Sequence, residues 1–161
     1  MRRSSFINFL VNSVMMLVSS VAFGAPGAPV MLHNSPIDGF HHWSDKELAV
    51  MTKEKGTTYL SDHEFFFIQE LNRVHSGEAE EHDFWNDYFV IQEGEGTLTY
   101  GGKEIGGKLT GMGEWRGGKI EGGNTVSLHV GDLIVIPAGM PHLVMLQPGK
   151  NLRYLVFKAR Q

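Results

Sequence analysis

The sequence predicts an all-β domain, and three observations predict it. Twenty glycines and ten phenylalanines in a chain of 161 residues favour tight turns and half-buried strands over a helical bundle. Leu133 to Ile136 is a short run rich in β-branched residues between Gly131-Asp132 and Pro137, which reads as a strand buried on both faces. From His63 to Val74, Phe65, Phe67 and Leu71 alternate with Phe66, Ile68 and polar neighbours, the period of a long strand.

The length fits a single domain. With 14 basic against 18 acidic residues and no basic run, the charge pattern predicts no nucleic-acid partner. The absence of cysteine excludes disulfides, thiolate metal sites and a cysteine nucleophile. The compartment must therefore be read from the N-terminus. Arg2 and Arg3 precede an apolar segment from Phe6 to Phe23 that ends in Ala22-Phe23-Gly24, the order of a secretory signal peptide over residues 1–24. Asn8, Asn12, Ser13, Ser19 and Ser20 make the segment a poor permanent membrane helix. The expectation is a periplasmic or secreted protein with no membrane attachment after cleavage.

Residues 25–43 hold Pro26, Pro29, Pro36, Gly27 and Gly39 without a sustained period and read as an extended arm. His41 and His42 are adjacent, so an extended chain points them to opposite sides, away from a shared ligand. The domain proper is expected over residues 44–161. It opens on a short helix from Ser44 to Lys55, with a Ser44/Glu47 capping box, Leu48 and Met51 on one face, and Gly56 as terminator. Its expected work is to cover one end or face of the sheet.

Phe89 to Gln92 and Thr97 to Tyr100 read as a hairpin closed by Glu93-Gly94-Glu95-Gly96. Glu104 to Asn124 holds eight glycines, among them Gly106, Gly111, Gly117 and Gly123, which predicts a long mobile loop or irregular hairpin rather than core. Thr125 to Val130, Val144 to Leu146 and Arg153 to Lys158 complete the strands. Pro137-Ala138-Gly139 reverses the chain by fixing one φ and freeing another, so His142 re-enters the sheet at a rigidly aimed position.

The spacing Gly131-x5-Pro137-x-Gly139-x2-His142 resembles the second conserved motif of the cupin superfamily, departing from it where Leu146 stands for a frequent Asn. The family's first motif is a His-x-His pair, a Glu and a Gly. Here it resembles Glu80-x-His82-x4-Asp87-x6-Gly94, with Glu80 in place of the first histidine and Asp87 in place of the glutamate. The resemblance is strongest over residues 64–158. It implies a single antiparallel jelly-roll β-barrel with a short N-terminal helix, commonly a homodimer, with one divalent metal ion (Fe, Zn, Mn or Ni) held by Glu80, His82, His142 and Asp87.

Glu80 and His82 lie two apart on a strand and so share a face, and two imidazoles with a carboxylate suit first-row metals. Asp87 reaches roughly 1.5 Å less than Glu, so it is a ligand, the holder of a water, or a catalytic general base. His75 is separated from the cluster by Ser76-Gly77, and His33, His63 and His129 have no partner at useful spacing. Trp115, Arg116 and Lys119 sit in the glycine-rich segment as candidate substrate-binding residues, an aromatic wall with cations for an anionic ligand. The function implied is that of an exported metal-dependent enzyme of oxygenase, isomerase or lyase type acting on a small anionic molecule. The alternative is a non-catalytic small-molecule-binding cupin.

Overall fold

The computed structural model describes residues 40–53, 56–62 and 64–161. The expected signal peptide and most of the expected arm, with His33 and His63, lie outside the described residues. Helix α1, Asp45–Lys53, begins at the expected capping box: the Ser44 amide donates to Glu47 Oε2 at 2.8 Å and the Glu47 amide to Ser44 Oγ at 3.3 Å. Gly56, at φ 71°, ends it in the left-handed conformation. Leu48 and Thr52, one turn apart, form its buried side. Arg153 ties the helix to the sheet beneath through Asp45 Oδ1 at 2.5 Å, Glu70 Oε1 at 2.7 Å and Glu93 Oε2 at 3.3 Å.

Twelve strands follow among the described residues: β1 Thr57–Asp62, β2 Phe66–Arg73, β3 Ala79–His82, β4 Trp85–Gly94, β5 Gly96–Tyr100, β6 Lys103–Ile105, β7 Lys108–Gly111, β8 Glu114–Glu121, β9 Asn124–Leu128, β10 Leu133–Ile136, β11 His142–Met145 and β12 Leu152–Arg160. One sheet runs β1-β2-β12-β4-β10; the other runs β6-β8-β3-β11-β5-β9, with β7 on β8, and the pairings are antiparallel. The sheets enclose Phe89, Ile91, Leu98, Leu128, Ile136, Val144, Leu152, Tyr154 and Val156, contributed by both. The architecture is the antiparallel jelly roll the sequence implies.

Two expectations are corrected, and a third is narrowed. The long strand expected from residue 63 starts at Phe66, and β1, rich in Thr and Tyr, precedes it. Strand β10 is not buried on both faces: it edges its sheet, with Ile136 inside but Leu133 67% and Val135 54% exposed. An apolar run marks a strand without saying whether a partner layer covers its outer side. Of the two forms expected for the glycine-rich segment, the irregular hairpin is the one found, β7 pairing with β8 across a register shift. Its glycines occupy turns and narrow crossings, while β8 pairs along its length with β3, β6 and β7.

Candidate metal and ligand site

Strand alternation and register gather the site. On β3, Glu80 and His82 face inward together and are buried. To one side, β11 sets His142 in register with Glu80; to the other, β8 sets Arg116 beside Glu80 and Glu114 beside His82. On the facing sheet, Asp87 lies on the inward row of β4 and Lys158 on that of β12, each the register partner of the other. The Pro137-Gly139 turn is anchored to the same strand: Gly139, at φ 73°, donates its amide to the His82 carbonyl at 2.8 Å, and Met140 donates to Pro137 O at 3.2 Å.

Both imidazoles present a lone pair to one point. His82 Nδ1 donates to Glu114 Oε2 at 2.8 Å and His142 Nδ1 to the Met140 carbonyl at 3.1 Å. A carboxylate and a carbonyl can only accept, so in the neutral imidazole each pairing places the proton on Nδ1 and leaves Nε2 as the lone-pair nitrogen, aimed inward. Glu80, His82 and His142 bring one donor atom each within 4.8 Å of one another. Asp87 Oδ2 lies 3.5 Å from His82 Nε2 and 3.6 Å from His142 Nε2, so a shorter side chain on the opposite sheet still reaches the cluster. His142 Nε2 and Asp87 Oδ1 are buried with no hydrogen-bond partner among the described residues. Orphaned donors of this kind, beside two oriented imidazoles, fit a divalent ion.

The charge balance keeps the donors in their ligating forms. Burial would raise the Glu80 carboxyl, but His142 when protonated, Arg116, Lys158 and His82 when protonated outweigh it and hold it at about 2. Arg116 Nη1 contacts Glu80 Oε2 at 2.5 Å and Arg73 Nη2 contacts Oε1 at 3.4 Å. Burial is the main cause that lowers the His142 imidazole, against the pull of Glu80 and Asp87, so it stays neutral. Burial also opposes ionisation of Glu114, yet its bond from His82 prevails and lowers it.

The two carboxylates of the cluster, Glu80 and Asp87, together with Glu114 and Lys158, which contact His82, line a cavity of about 730 Å³. Phe67, Trp85, Phe89 and Val156 give it an apolar wall; Arg73, Arg116, Lys158 and Arg160 give it cations. Thr110, Gly111 and Met112, at the tip of the β7-β8 hairpin, line it, so the glycine-rich segment contributes to its wall.

All four expected metal residues meet here. Of the three expected substrate residues only Arg116 does. Trp115 has the opposite parity to Arg116 on β8 and its Nε1 donates to Asp83 at 3.3 Å, while Lys119 lies beyond the register shift at Gly117 and is exposed; neither lines the cavity. His75 is exposed and outside the cluster.

Arg73, Glu114 and Lys158 went unread in the sequence. Lys158 had a signal, since it continues the inward row of Leu152, Tyr154 and Val156. Arg73 and Glu114 become site residues only through cross-strand register, which no local pattern announces.

No protein-family model and no curated protein matches the chain. Among solved structures it is similar to the Bacillus halodurans protein BH2720, at 15% identity and a TM-score of 0.52 over 74% of this chain and 81% of that one. The cupin domain of Cnp3 from Schizosaccharomyces pombe matches at 11% identity and a TM-score of 0.50, over 65% of this chain and 64% of that one. The DMSP lyase DddQ from Ruegeria pomeroyi is more distant, at 14% identity and a TM-score of 0.44, over 64% of this chain and 45% of that one. The chain thus spans less than two thirds of the length of these last two. Two facing antiparallel sheets, a buried polar cluster between them and the first two of these likenesses, at TM-scores of 0.52 and 0.50, agree on the architecture: the chain has the cupin fold.

Proposed function

We propose that this protein is an exported, metal-dependent cupin-type enzyme acting on a small anionic molecule with an apolar body. The observation that carries the reading is the convergence of one donor atom each from His82, His142 and Glu80 within 4.8 Å, beside a cavity of about 730 Å³ that Glu80 and Asp87 line. Glu80, His82 and His142, with Asp87 beside them, are the residues that hold the ion. When bound, such an ion supplies Lewis acidity, or one-electron chemistry if it is iron. The chain's own groups do the rest. Arg73 and Arg116 face the cavity as partners for a carboxylate or other oxyanion. Phe67, Trp85 and Phe89 take the apolar body and exclude water. Asp87 Oδ1, buried and without a partner among the described residues, is the oxygen placed to accept a proton.

Export to the periplasm or medium rests on the charged start, apolar stretch and small-residue exit of residues 1–24. A homodimer is supported by the apolar outer surface of the five-stranded sheet, where Val90, Leu133 and Val135 are exposed side by side.

The test is thermal unfolding of the zinc-loaded protein against a panel of small aromatic and aliphatic carboxylates. A true ligand at about a hundredfold excess over its Kd should raise Tm by about 5 to 10 °C. The shift should vanish on metal removal and in Arg116→Leu. Mass spectrometry of the ligand after incubation then separates turnover from binding alone. A panel in which no acid shifts Tm, or in which shifts persist without metal and in Arg116→Leu, contradicts the reading.

A further inference from the structure

Lys158 is a lysine on an inward row otherwise made of Leu152, Tyr154 and Val156, and it is only 6% exposed. Its ammonium donates to Asp87 Oδ2 at 2.8 Å and to His82 Nε2 at 2.6 Å. These are two of the atoms that face the metal position, and they are themselves only 3.5 Å apart. A lone pair engaged by an ammonium is not free for an ion, and a unit positive charge at this spot repels a second cation. Without any ion, however, that charge is needed. Asp87 is 2% exposed and Lys158 is the cation in direct contact with it, and an unpaired buried carboxylate is strongly destabilising. The lysine also has somewhere to go, because it lines the cavity of about 730 Å³ and hangs on a flexible four-carbon stem.

We propose that Lys158 is a built-in counter-cation: in the metal-free chain its ammonium holds Asp87 and His82 in place, and a divalent ion binds by displacing it into the cavity. The inference rests on the metal reading above. It makes the donor set pre-arranged before any ion arrives, at a cost in ion affinity. It also turns Lys158, once displaced, into a third cation beside Arg73 and Arg116 for the ligand's anionic group.

The experiment is calorimetric titration of Zn(II) into protein purified without a histidine tag and stripped of metal, wild type against Lys158→Met, at one fixed pH. The variant is expected to bind zinc about tenfold more tightly or better, since a nearby positive charge has been removed. Its metal-free form is expected to melt lower than the wild type's. Equal or weaker zinc binding by Lys158→Met, with the wild type binding normally, overturns the proposal and leaves the metal reading intact. If neither protein binds Zn(II), Mn(II), Fe(II) or Ni(II), the metal reading fails and this inference with it.

Should Lys158→Met fail to fold, the wild type supplies the second measurement. Acylation by acetic anhydride, mapped by mass spectrometry, should label Lys158 slowly without metal and severalfold faster with zinc, while exposed Lys119 is unchanged. Labelling of Lys158 that is indifferent to zinc, or slowed by it, overturns the proposal.

Discussion

At the scale of single residues, the clearest relation is between a histidine and the group that holds its far nitrogen. Glu114 accepts from His82 Nδ1 at 2.8 Å and so decides which nitrogen of His82 faces the site. Glu114→Gln keeps the shape but replaces a carboxylate by an amide that can present either its oxygen or its NH2. Metal affinity should fall about 10- to 100-fold with the fold intact by circular dichroism. An unchanged zinc isotherm would show that the tautomer is fixed by something else. That Glu80, His82, His142 and Asp87 come together was legible because motif spacing and strand parity are local properties, even with Glu80 and Asp87 at positions where the resembling motif has other residues. Glu114 was not legible: it sits 32 residues from His82, and only the β3-β8 register makes them neighbours.

At the scale of elements, β8 is where sequence and structure part. Glycine density argued for a loop or an irregular hairpin because glycine weakens strands. Yet Gly118 lies where a Cβ would come 2.8 Å from the Gly107 backbone nitrogen, so glycine there allows close approach rather than looseness. Ladder pairing on both sides of β8 then fixes Arg116 and Glu114 over the cluster. Hydrogen exchange should therefore find the amides of residues 114–118 protected by about tenfold or more over the turn at Gly101 and Gly102. Exchange of the two at the same rate would mean that β8 opens as easily as a turn and cannot hold Arg116 in place. The helix cap and the Pro137-Gly139 turn were readable in full, since each is set by residues within five positions of one another.

At the scale of the whole molecule, stability should carry the mark of a buried phenol. Tyr154 is among the largest fully buried side chains, and its hydroxyl accepts from Arg73 Nε at 2.6 Å. Burial pushes the phenol up to about 12 from its ordinary 10.0, although Arg73 pulls the other way. Between those values the folded chain keeps a proton that the unfolded chain has lost, so stability must fall as pH rises through that window. The slope is about 1.4 kcal/mol per pH unit, or about 3 kcal/mol in all. Denaturant midpoints from pH 9 to 12 should drop more steeply for the wild type than for Tyr154→Phe. Parallel curves would place the phenol in contact with water. The same inward row that carries Tyr154 carries Lys158, so core and site are built by one strand, β12, and a fold-level reading of its parity finds both.

The central claim is that two oriented imidazoles and their carboxylates form one metal site. Elemental analysis of protein purified without a histidine tag and incubated in turn with Fe(II), Zn(II), Mn(II) and Ni(II) tests it most directly. The account predicts about one ion per chain for at least one metal, and loss of most of it in both His82→Ala and His142→Ala, with the barrel still folded on its apolar core. Wild-type protein that holds well under one equivalent of every metal, or variants that retain the wild-type content, would contradict it.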